Sequence, residues 1–349
     1  MTPMKPGCDM LELLSEDQYP QWDAFVAQAR GGTIFHTSYF LRPLARKLKI
    51  FVLRGEDGGI EGGIALTLVA IMGCKAARRP AWTAYNGPLA RASEKQHPGE
   101  KASEEKAIVL RLLAGISDIA IQDYIFAPDA YDVIPFIWNG FETLVGYTYQ
   151  IPPGPVDQWQ AAMSQDHRRS LRKAHESLKN LGGEVEVTTD FDECHSLLSE
   201  TFAAKDFSVR AGKSLLGKWW RSMVEHRAGA IYLARDAAGR PVCCTIMIWD
   251  DRCAYYLAGG IRADARRGPM EMWSRVLFDR MIRDSHQRDL TFDFEGSVLP
   301  GVERFFRGWG GRCVPKYRAV KLRRLWAYAV WVGYRFLTCH RIRRWFEEP

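Results

Sequence analysis

The same order of predicted secondary-structure elements occurs twice in this chain, once on each side of the proline-rich segment IPPGP at 151–155. Each half reads as a strand, helices, an antiparallel meander, a helix and a further strand. This order predicts an α+β fold and not strict alternation of strand and helix. Because proline cannot donate to a strand ladder, we place a domain boundary in that segment. The 349 residues are enough for two cores.

We therefore predict one domain over residues 1–151, a second over 156–322 and a C-terminal segment over 323–349. Twelve Arg and Lys, but no Asp or Glu, lie between positions 304 and 344, which suggests an anionic partner such as nucleic acid, a phosphorylated lipid carrier or a membrane surface. The alternative is a solvated basic face. The aromatic residues of the segment either lie in a membrane interface or belong to a helix docked on the core.

The cysteines and the N-terminus indicate the compartment. None of the eight cysteines forms a CxxC pair or a Cys/His cluster with zinc spacing, so we expect buried thiols and no metal. No long apolar stretch near the N-terminus resembles a signal peptide, and no uncharged apolar run has the length of a membrane span. We predict a cytoplasmic protein that can contact the inner membrane face through residues 323–349.

The first candidate site is a glycine-containing basic loop at 255–272 (YYLAGGIRADARRGPMEM) between a predicted strand and a helix. The exposed backbone N–H groups at such a helix start bind anions, and Gly268 allows a phosphate to approach the backbone closely. We predict that four residues of this loop hold the phosphates of a bound donor: Arg266, Arg267, Gly268 and Met270. The alternative is a capped helix with surface arginines.

The second candidate site is the segment FDFEGSVLPGVERFFR at 292–307. Strand alternation places Asp293 and Glu295 on one face, where a carboxylate can accept the proton that an amine loses. Repulsion between the two charges would raise one pKa toward neutrality. The alternative is a structural pair of carboxylates bridged to Arg304 and Arg307.

The third candidate site is a long basic helix predicted over 158–181. Helical spacing places Arg168, Arg172 and His175 on one face, where they could contact phosphates. The alternative is a solvated surface helix.

Four segments together resemble the Fem-like branch of the GNAT acyltransferases. They are GGTIFHT at 31–37, YNGP at 85–88, RRSLRKA at 168–174, and FDFEGS at 292–297 with PGVERF at 300–305. They occur in the family's order and span about residues 20 to 320. The chain departs from the family pattern at Ser170, at Val298 and at Lys316, which stands where a tyrosine is usual and leaves Tyr317.

The resemblance implies two tandem GNAT-like domains, the second carrying the better formed transfer site. It implies transfer of an acyl group from coenzyme A, or of an aminoacyl group from charged tRNA, onto an amine. We expect acetyl-CoA or another acyl-CoA as the donor and a small-molecule or lipid-linked amine of the cell envelope or a polysaccharide as the acceptor. Transfer from aminoacyl-tRNA, a non-catalytic membrane-associated scaffold and a degenerate binding module are the alternatives.

The resemblance and the residue patterns together assign roles. Glu295, supported by Asp293, takes the amine proton, and Tyr317 or Tyr256 protonates the leaving group. Backbone N–H groups between Tyr255 and Ala258 stabilise the oxyanion. The candidate substrate-binding residues are Arg168, Arg172, Tyr85 and Ser297.

Overall fold

The computed structural model describes residues 11–45, 47–71, 73–128, 130, 133–204, 212–296 and 299–323. Within these residues, thirteen strands form one continuous mixed sheet, and the predicted α+β class is confirmed. Ser297 and the C-terminal segment from 324 onward lie outside the described residues. The membrane and scaffold hypotheses for that segment therefore stay predictions.

The strands of the first half are β1 (Glu12–Leu13), β2 (Leu48–Arg54), β3 (Ile60–Ile71), β4 (Cys74–Arg78), β5 (Leu89–Ala90), β6 (Ile121–Ile125) and β7 (Glu142–Ile151). Those of the second half are β8 (Glu184–Thr188), β9 (Gly229–Arg235), β10 (Pro241–Trp249), β11 (Cys253–Ile261), β12 (Thr291–Asp293) and β13 (Arg312–Leu322). The α-helices are α1 (Tyr19–Gln28), α2 (Ser38–Leu41), α3 (Pro98–Gly115), α4 (Ile134–Trp138), α5 (Val156–Ala162), α6 (Gln165–Asn180), α7 (Phe191–Ala203), α8 (Lys213–Glu225), α9 (Trp273–Gln287) and α10 (Pro300–Gly308).

One topological unit occurs twice. In the first half, β2, β3 and β4 form an antiparallel meander, and the chain crosses through α3 to β6, which lies parallel to β4. In the second half, β9, β10 and β11 form the meander, and α9 leads to β12, which lies parallel to β11. The repeated order read from the sequence therefore corresponds to a repeated fold.

The two halves exchange their last strands. Strand β7, from the first half, pairs with β12 of the second half, whereas β13, at the end of the second half, pairs with β6 of the first. Strands β7 and β13 also pair with each other along most of their length. The domain division at 151–156 stays a prediction, but both predicted domains share one sheet and neither holds all of its own strands.

The two faces of the sheet have separate cores. Consecutive residues of a strand point to opposite faces, and the adjacent Cys243 and Cys244 accordingly belong to different apolar clusters. One cluster packs α9 against the sheet through Trp273 and Phe278. The other joins α7 and α8 to Phe35 and Tyr85 of the first half. This second cluster fixes the first half beside the candidate site.

The basic helix predicted over 158–181 is two helices, because the chain turns at Met163 and Ser164 between α5 and α6. The hydroxyl of Ser164 accepts a hydrogen bond from the backbone N–H of His167 at 3.2 Å, which caps the start of α6. Apolar periodicity alone did not show this break, since serine also occurs inside helices.

Candidate active site

The parallel strands β11 and β12 separate at the centre of the second half. They pair at only three positions, Cys253–Thr291, Ala254–Phe292 and Tyr255–Asp293, and β12 then ends. Strand β11 continues to Ile261 with β10 on its other side. The separation opens a gap in the sheet beside the second half of β11.

Strand β11 carries a bulge at this gap. Ile246 of β10 pairs with Ala258 and Met247 pairs with Tyr256, so Leu257 is an extra residue without a partner on β10. A bulge of this kind twists the strand and redirects its backbone groups. It lies within 255–258, the stretch whose N–H groups were predicted to stabilise an oxyanion, and that role stays a prediction.

Glu295 stands at the open end of β12 in an unusual backbone conformation. Its φ is +57° and that of Gly296 is +76°, so both residues are left-handed. A Cβ at position 296 would lie 2.2 Å from the carbonyl oxygen of Tyr147, which explains why glycine follows. The left-handed conformation costs a glutamate about 1–2 kcal/mol. The predicted strand alternation is wrong at Glu295, because β12 ends at Asp293.

One oxygen of the Glu295 carboxyl group has no hydrogen-bond partner within the described part of the chain. Glu295 as a whole is half-buried, but its Oε1 atom is shielded from solvent and has no hydrogen-bond partner among the described residues. Burial raises the pKa of Glu295 well above its usual value, the charges of Lys316 and Arg79 oppose that rise, and Asp293 adds to it. A carboxyl group of this kind is a candidate proton acceptor in catalysis.

Asp293 is instead fully engaged. Its buried carboxylate accepts hydrogen bonds from Thr148 Oγ1 at 2.6 Å, Gln150 Nε2 at 2.9 Å, Tyr85 Oη at 3.1 Å and the backbone N–H of Glu295 at 2.7 Å. Three of these donors belong to the first half of the chain. Asp293 therefore joins the two halves and holds the turn at Glu295. We call Asp293 with its donors Thr148, Gln150 and Tyr85 the Asp293 clamp.

Tyr317 and Tyr256, the predicted acids, lie in different surroundings. Tyr317, on β13, packs against an apolar cluster of the first half that includes Tyr124. Its neighbour Lys316 reaches the site, donating a hydrogen bond from Nζ to the backbone oxygen of Glu295 at 2.6 Å. Tyr256, on β11, packs on Phe278 with ring centroids 4.7 Å apart. Burial raises the pKa of Tyr256, and the nearby Glu295 adds to that rise, so the phenol keeps its proton and can donate it.

A cavity of about 300 Å³ lies on the other side of the Asp293 clamp, between the two halves. Its lining includes Tyr85, Gln150, Asp250, Tyr255, Thr291 and Asp293. Asp250 is itself held by the backbone N–H of Ile34 at 2.9 Å and the hydroxyl of Tyr255 at 3.0 Å. The GGTIFHT segment thus forms one wall of a polar space beside the clamp.

The predicted phosphate loop joins β11 to α9. Gly268 has φ +111° and begins a short 3-10 turn, Pro269–Met272, that precedes α9. Arg267 is exposed, whereas Arg266 donates to the backbone oxygen of Glu200 at 2.6 Å and Met270 packs against the core. Arg267 and Gly268 are therefore available to a ligand, while Arg266 braces the loop against α7.

Helix α6 presents its basic residues to solvent. It buries His167, Leu171 and Ala174 and leaves Arg168 and Arg172 exposed. Arg168 also donates to the backbone oxygen of Ala161 at 3.0 Å, across the break between α5 and α6. Helix α6 also contacts the phosphate loop, since Ser177 Oγ donates to the backbone oxygen of Pro269 at 2.8 Å.

Three polar residues at this site were not expected from the sequence. Thr148 and Gln150 lie two apart on β7 and were not distinguished from other strand residues, because their partner Asp293 is 145 and 143 residues away. Lys316 had one signal, its departure from the family pattern. Over the part of the chain that the structure describes, no group of three or more His, Cys, Asp or Glu could hold a metal ion, and no helix is long and apolar enough to cross a membrane.

Comparison with known proteins agrees with this geometry. A family model described as an acetyltransferase (GNAT) domain matches residues 165–307. The crystal structure of FemX is similar with a TM-score of 0.63 and 13% identity, over 89% of this chain and 98% of FemX. The C-terminal domain of a putative lysylphosphatidylglycerol synthetase from Agrobacterium fabrum is similar with a TM-score of 0.56 and 12% identity, over 91% of this chain and 94% of that domain. L-PGS from Bacillus licheniformis is similar with a TM-score of 0.55 and 11% identity, over 89% of this chain and 93% of L-PGS. No curated protein sequence matches. These similarities confirm the predicted tandem fold.

Proposed function

We propose that this chain is an acyltransferase of the GNAT superfamily, in its Fem-like branch, and that it moves an acyl group from acyl-CoA, with acetyl-CoA the first candidate, onto a primary amine. The buried and unpartnered Oε1 of Glu295, beside the gap between β11 and β12, is the observation that carries this proposal. A structural carboxylate would have partners, as Asp293 does. Glu295 is instead kept in a strained conformation with an oxygen free to accept a proton.

The transfer step balances with the groups at the gap. The amine nitrogen attacks the thioester carbonyl, the C–N bond forms, and the oxyanion is held by N–H groups of the β11 bulge. The carbon–sulfur bond then breaks. Glu295 takes the proton that the amine nitrogen loses, and Tyr256, which packs beside the gap on β11, protonates the departing thiolate. Arg267 and Gly268 hold the donor phosphates in this proposal.

The acceptor we propose is an amine of the cell envelope or of a polysaccharide. One of the similar structures is a domain of a putative lysylphosphatidylglycerol synthetase and another carries the name L-PGS, which associates this fold with lipid products. The polar cavity beside the Asp293 clamp, with Tyr85, Gln150 and Thr291 in its lining, is the space we propose for the part of the acceptor remote from its reacting amine, since Glu295 does not line it. Its lining carries two carboxylates, Asp250 and Asp293, and two arginines, Arg30 and Arg252, so it offers both acceptors and donors to a polar group.

A second candidate donor is aminoacyl-tRNA, and helix α6 is the observation that favours it. Its exposed surface carries Arg168, Arg169, Arg172 and Lys173 next to the phosphate loop. Such a surface can neutralise several phosphates, and binding would then weaken steeply as salt is added. Arg168→Ala with Arg172→Ala should weaken tRNA binding and leave acetyl-CoA binding unchanged.

The first experiment is the melting temperature of the purified protein with acetyl-CoA, free CoA and charged tRNA, each titrated. A ligand that binds only the folded state raises the melting temperature. We expect a rise with acetyl-CoA that Arg267→Ala reduces. A rise with charged tRNA alone would assign the protein to aminoacyl transfer, and no rise with any of them would contradict transferase function and favour the scaffold hypothesis.

The second experiment tests the base. Release of thiol from acetyl-CoA would be followed with glucosamine or phosphatidylethanolamine as the amine. We expect Glu295→Gln to lower turnover by about 10²–10⁴-fold, the usual contribution of a general base, with acetyl-CoA binding retained. Glu176→Gln, which changes an exposed glutamate on α6, is the matched control. Normal turnover by Glu295→Gln would show that the base is another group.

A further inference from the structure

Lys316 approaches Glu295 from the strand that the two halves exchange. Its Nζ is 2.6 Å from the backbone oxygen of Glu295 and 5.6 Å from the centroid of the Tyr85 ring. The hydrogen bond ends on the left-handed turn that presents the Glu295 side chain. The Lys316 amine therefore contacts the turn at Glu295 and also faces the ring of Tyr85, whose hydroxyl donates a hydrogen bond to Asp293.

We propose that Lys316 is a positioning residue for proton transfer, whose positive charge favours the ionised form of Glu295 and whose hydrogen bond holds the turn at Glu295. This inference rests on the proposed function, since it concerns the same base. It goes beyond that function by assigning a task to a residue in which the chain departs from the family pattern. Tyrosine, usual at this place in the pattern, carries no positive charge and could not perform the first part of the task.

The charges around Glu295 support this assignment. Groups from several segments act on its carboxyl group or lie within its electrostatic reach: Asp293 on β12, Tyr256 and Cys253 on β11, Tyr85 in the segment after β4, Arg79 directly after β4, and Lys316 on β13. Burial and Asp293 favour the protonated acid. Of the two cations that favour the carboxylate, Lys316 has the stronger effect. Burial lowers the pKa of Lys316, and the charges of Glu295 and Asp293 oppose that fall and favour the charged amine. Without it, less of Glu295 would be ionised at neutral pH, and less of the enzyme would hold a competent base.

Three substitutions separate the charge of Lys316 from its hydrogen bond. Lys316→Gln removes the charge and keeps an amide donor one bond shorter than lysine, Lys316→Arg keeps the charge, and Lys316→Met removes both the charge and the donor. Lys321→Met is the matched control, because Lys321 lies on the same strand, donates to the backbone oxygen of Asn139 and faces the ring of Phe141 at 5.2 Å. The control therefore removes a similar amine from a place that does not contact Glu295.

The test is the titration of the Glu295 carboxyl group, followed by ¹³C NMR on protein labelled at the glutamate carboxyl carbon. The signal is assigned as the one that disappears in Glu295→Gln. We expect the midpoint to move to higher pH in Lys316→Gln and Lys316→Met, and to stay near that of the native protein in Lys316→Arg and Lys321→Met. An unchanged midpoint in Lys316→Gln would overturn the inference, and that variant is expected to fold because its donor is retained.

Rates show whether the charge matters for transfer. We expect kcat/KM of Lys316→Gln with acetyl-CoA and glucosamine to fall several-fold more at pH 6 than at pH 9, as for a base whose pKa has risen. Equal losses at both pH values would overturn the role of the charge. If Glu295→Gln is slow but Lys316→Gln keeps the native pH profile, only this inference fails. If Glu295→Gln turns over normally, the proposed base fails and the role of Lys316 fails with it.

Discussion

Removing the Asp293 carboxylate should destabilise the protein strongly, because four donors end on it. Asp293→Ala leaves the hydroxyls of Thr148 and Tyr85, the amide of Gln150 and the backbone N–H of Glu295 without their acceptor. Loss of a buried charged acceptor costs about 3–5 kcal/mol. Water can enter from the adjoining cavity of about 300 Å³ and take part of the acceptor's place, which puts the expected loss near the lower end, about 3 kcal/mol.

Asp293→Asn should cost much less. Its Oδ1 would keep the bonds from Thr148 and the Glu295 N–H, while its new amide group would face Tyr85 and Gln150. The Tyr85 hydroxyl can turn to accept, and the Gln150 amide can turn its oxygen inward, so every group finds a partner. We expect a loss of about 1–2 kcal/mol, from the weaker neutral bonds.

The assay is urea denaturation of both variants and of Thr148→Val, which removes one donor and leaves the carboxylate three others. The expected order of stability is native, then Thr148→Val and Asp293→Asn together, then Asp293→Ala. A loss below about 1 kcal/mol in Asp293→Ala would refute the clamp, since one ordinary hydrogen bond contributes that much. Equal losses in the Asn and Ala variants would refute the argument that geometry, and not charge alone, sets the cost.

Three further predictions concern the turn and the exchanged strands. Because burial raises the pKa of Glu295 above its unfolded value, its contribution to stability is present at low pH and lost as pH rises through the raised pKa. The melting temperature of Glu295→Gln, measured relative to that of the native protein, should therefore increase as pH rises from 5 to 9. Parallel curves of melting temperature against pH would contradict this. Gly296→Ala should lower the free energy of unfolding by more than about 2 kcal/mol in urea denaturation, because its Cβ would lie 2.2 Å from the Tyr147 oxygen. Gly268→Ala, at φ +111° but with no atom within 4 Å of the added Cβ, should lower it by about 1 kcal/mol. Equal losses would show that the turn at Gly296 adjusts easily to a side chain. Fragments 1–155 and 156–349 should each be insoluble alone and soluble when co-expressed, because each supplies a strand to the other, and a folded monomeric fragment in gel filtration would argue against this dependence.

The sequence predicted those features that depend on neighbouring residues. The repeated element order came from local periodicity and from the glycines and prolines that end each element, and the short turn before α9 was expected because Gly268 and Pro269 mark a helix start. The prediction that Glu295 extends β12 failed for a physical reason. Its left-handed backbone is held by Asp293 and requires a glycine next in the chain, which alternation cannot reveal.

Long-range contacts account for most of the remaining differences. Asp293 was predicted to be a supporting catalytic group. Its hydrogen-bond donors Thr148 and Tyr85 are 145 and 208 residues away, so the sequence could not show that its carboxylate is already fully hydrogen-bonded. Alternation on β13 requires Lys316 and Tyr317 to face opposite ways, but which of them meets Glu295 depends on the partner of that strand. Arg266 was predicted to bind phosphate, and only the packing of α7 shows that the Glu200 carbonyl already holds it.

The exchange of β7 and β13 also has a consequence for the timing of synthesis. Strand β7 leaves the ribosome early, but its neighbours β12 and β13 lie at 291–293 and 312–322. At a synthesis rate of about 5–20 residues per second, β12 and β13 are made on the order of ten to thirty seconds after β7. Strands β6 and β7 both run antiparallel to β13 and are therefore parallel to each other. Strand β13 therefore enters between two parallel strands that were synthesised long before it, and it is the strand that brings Lys316 to the site.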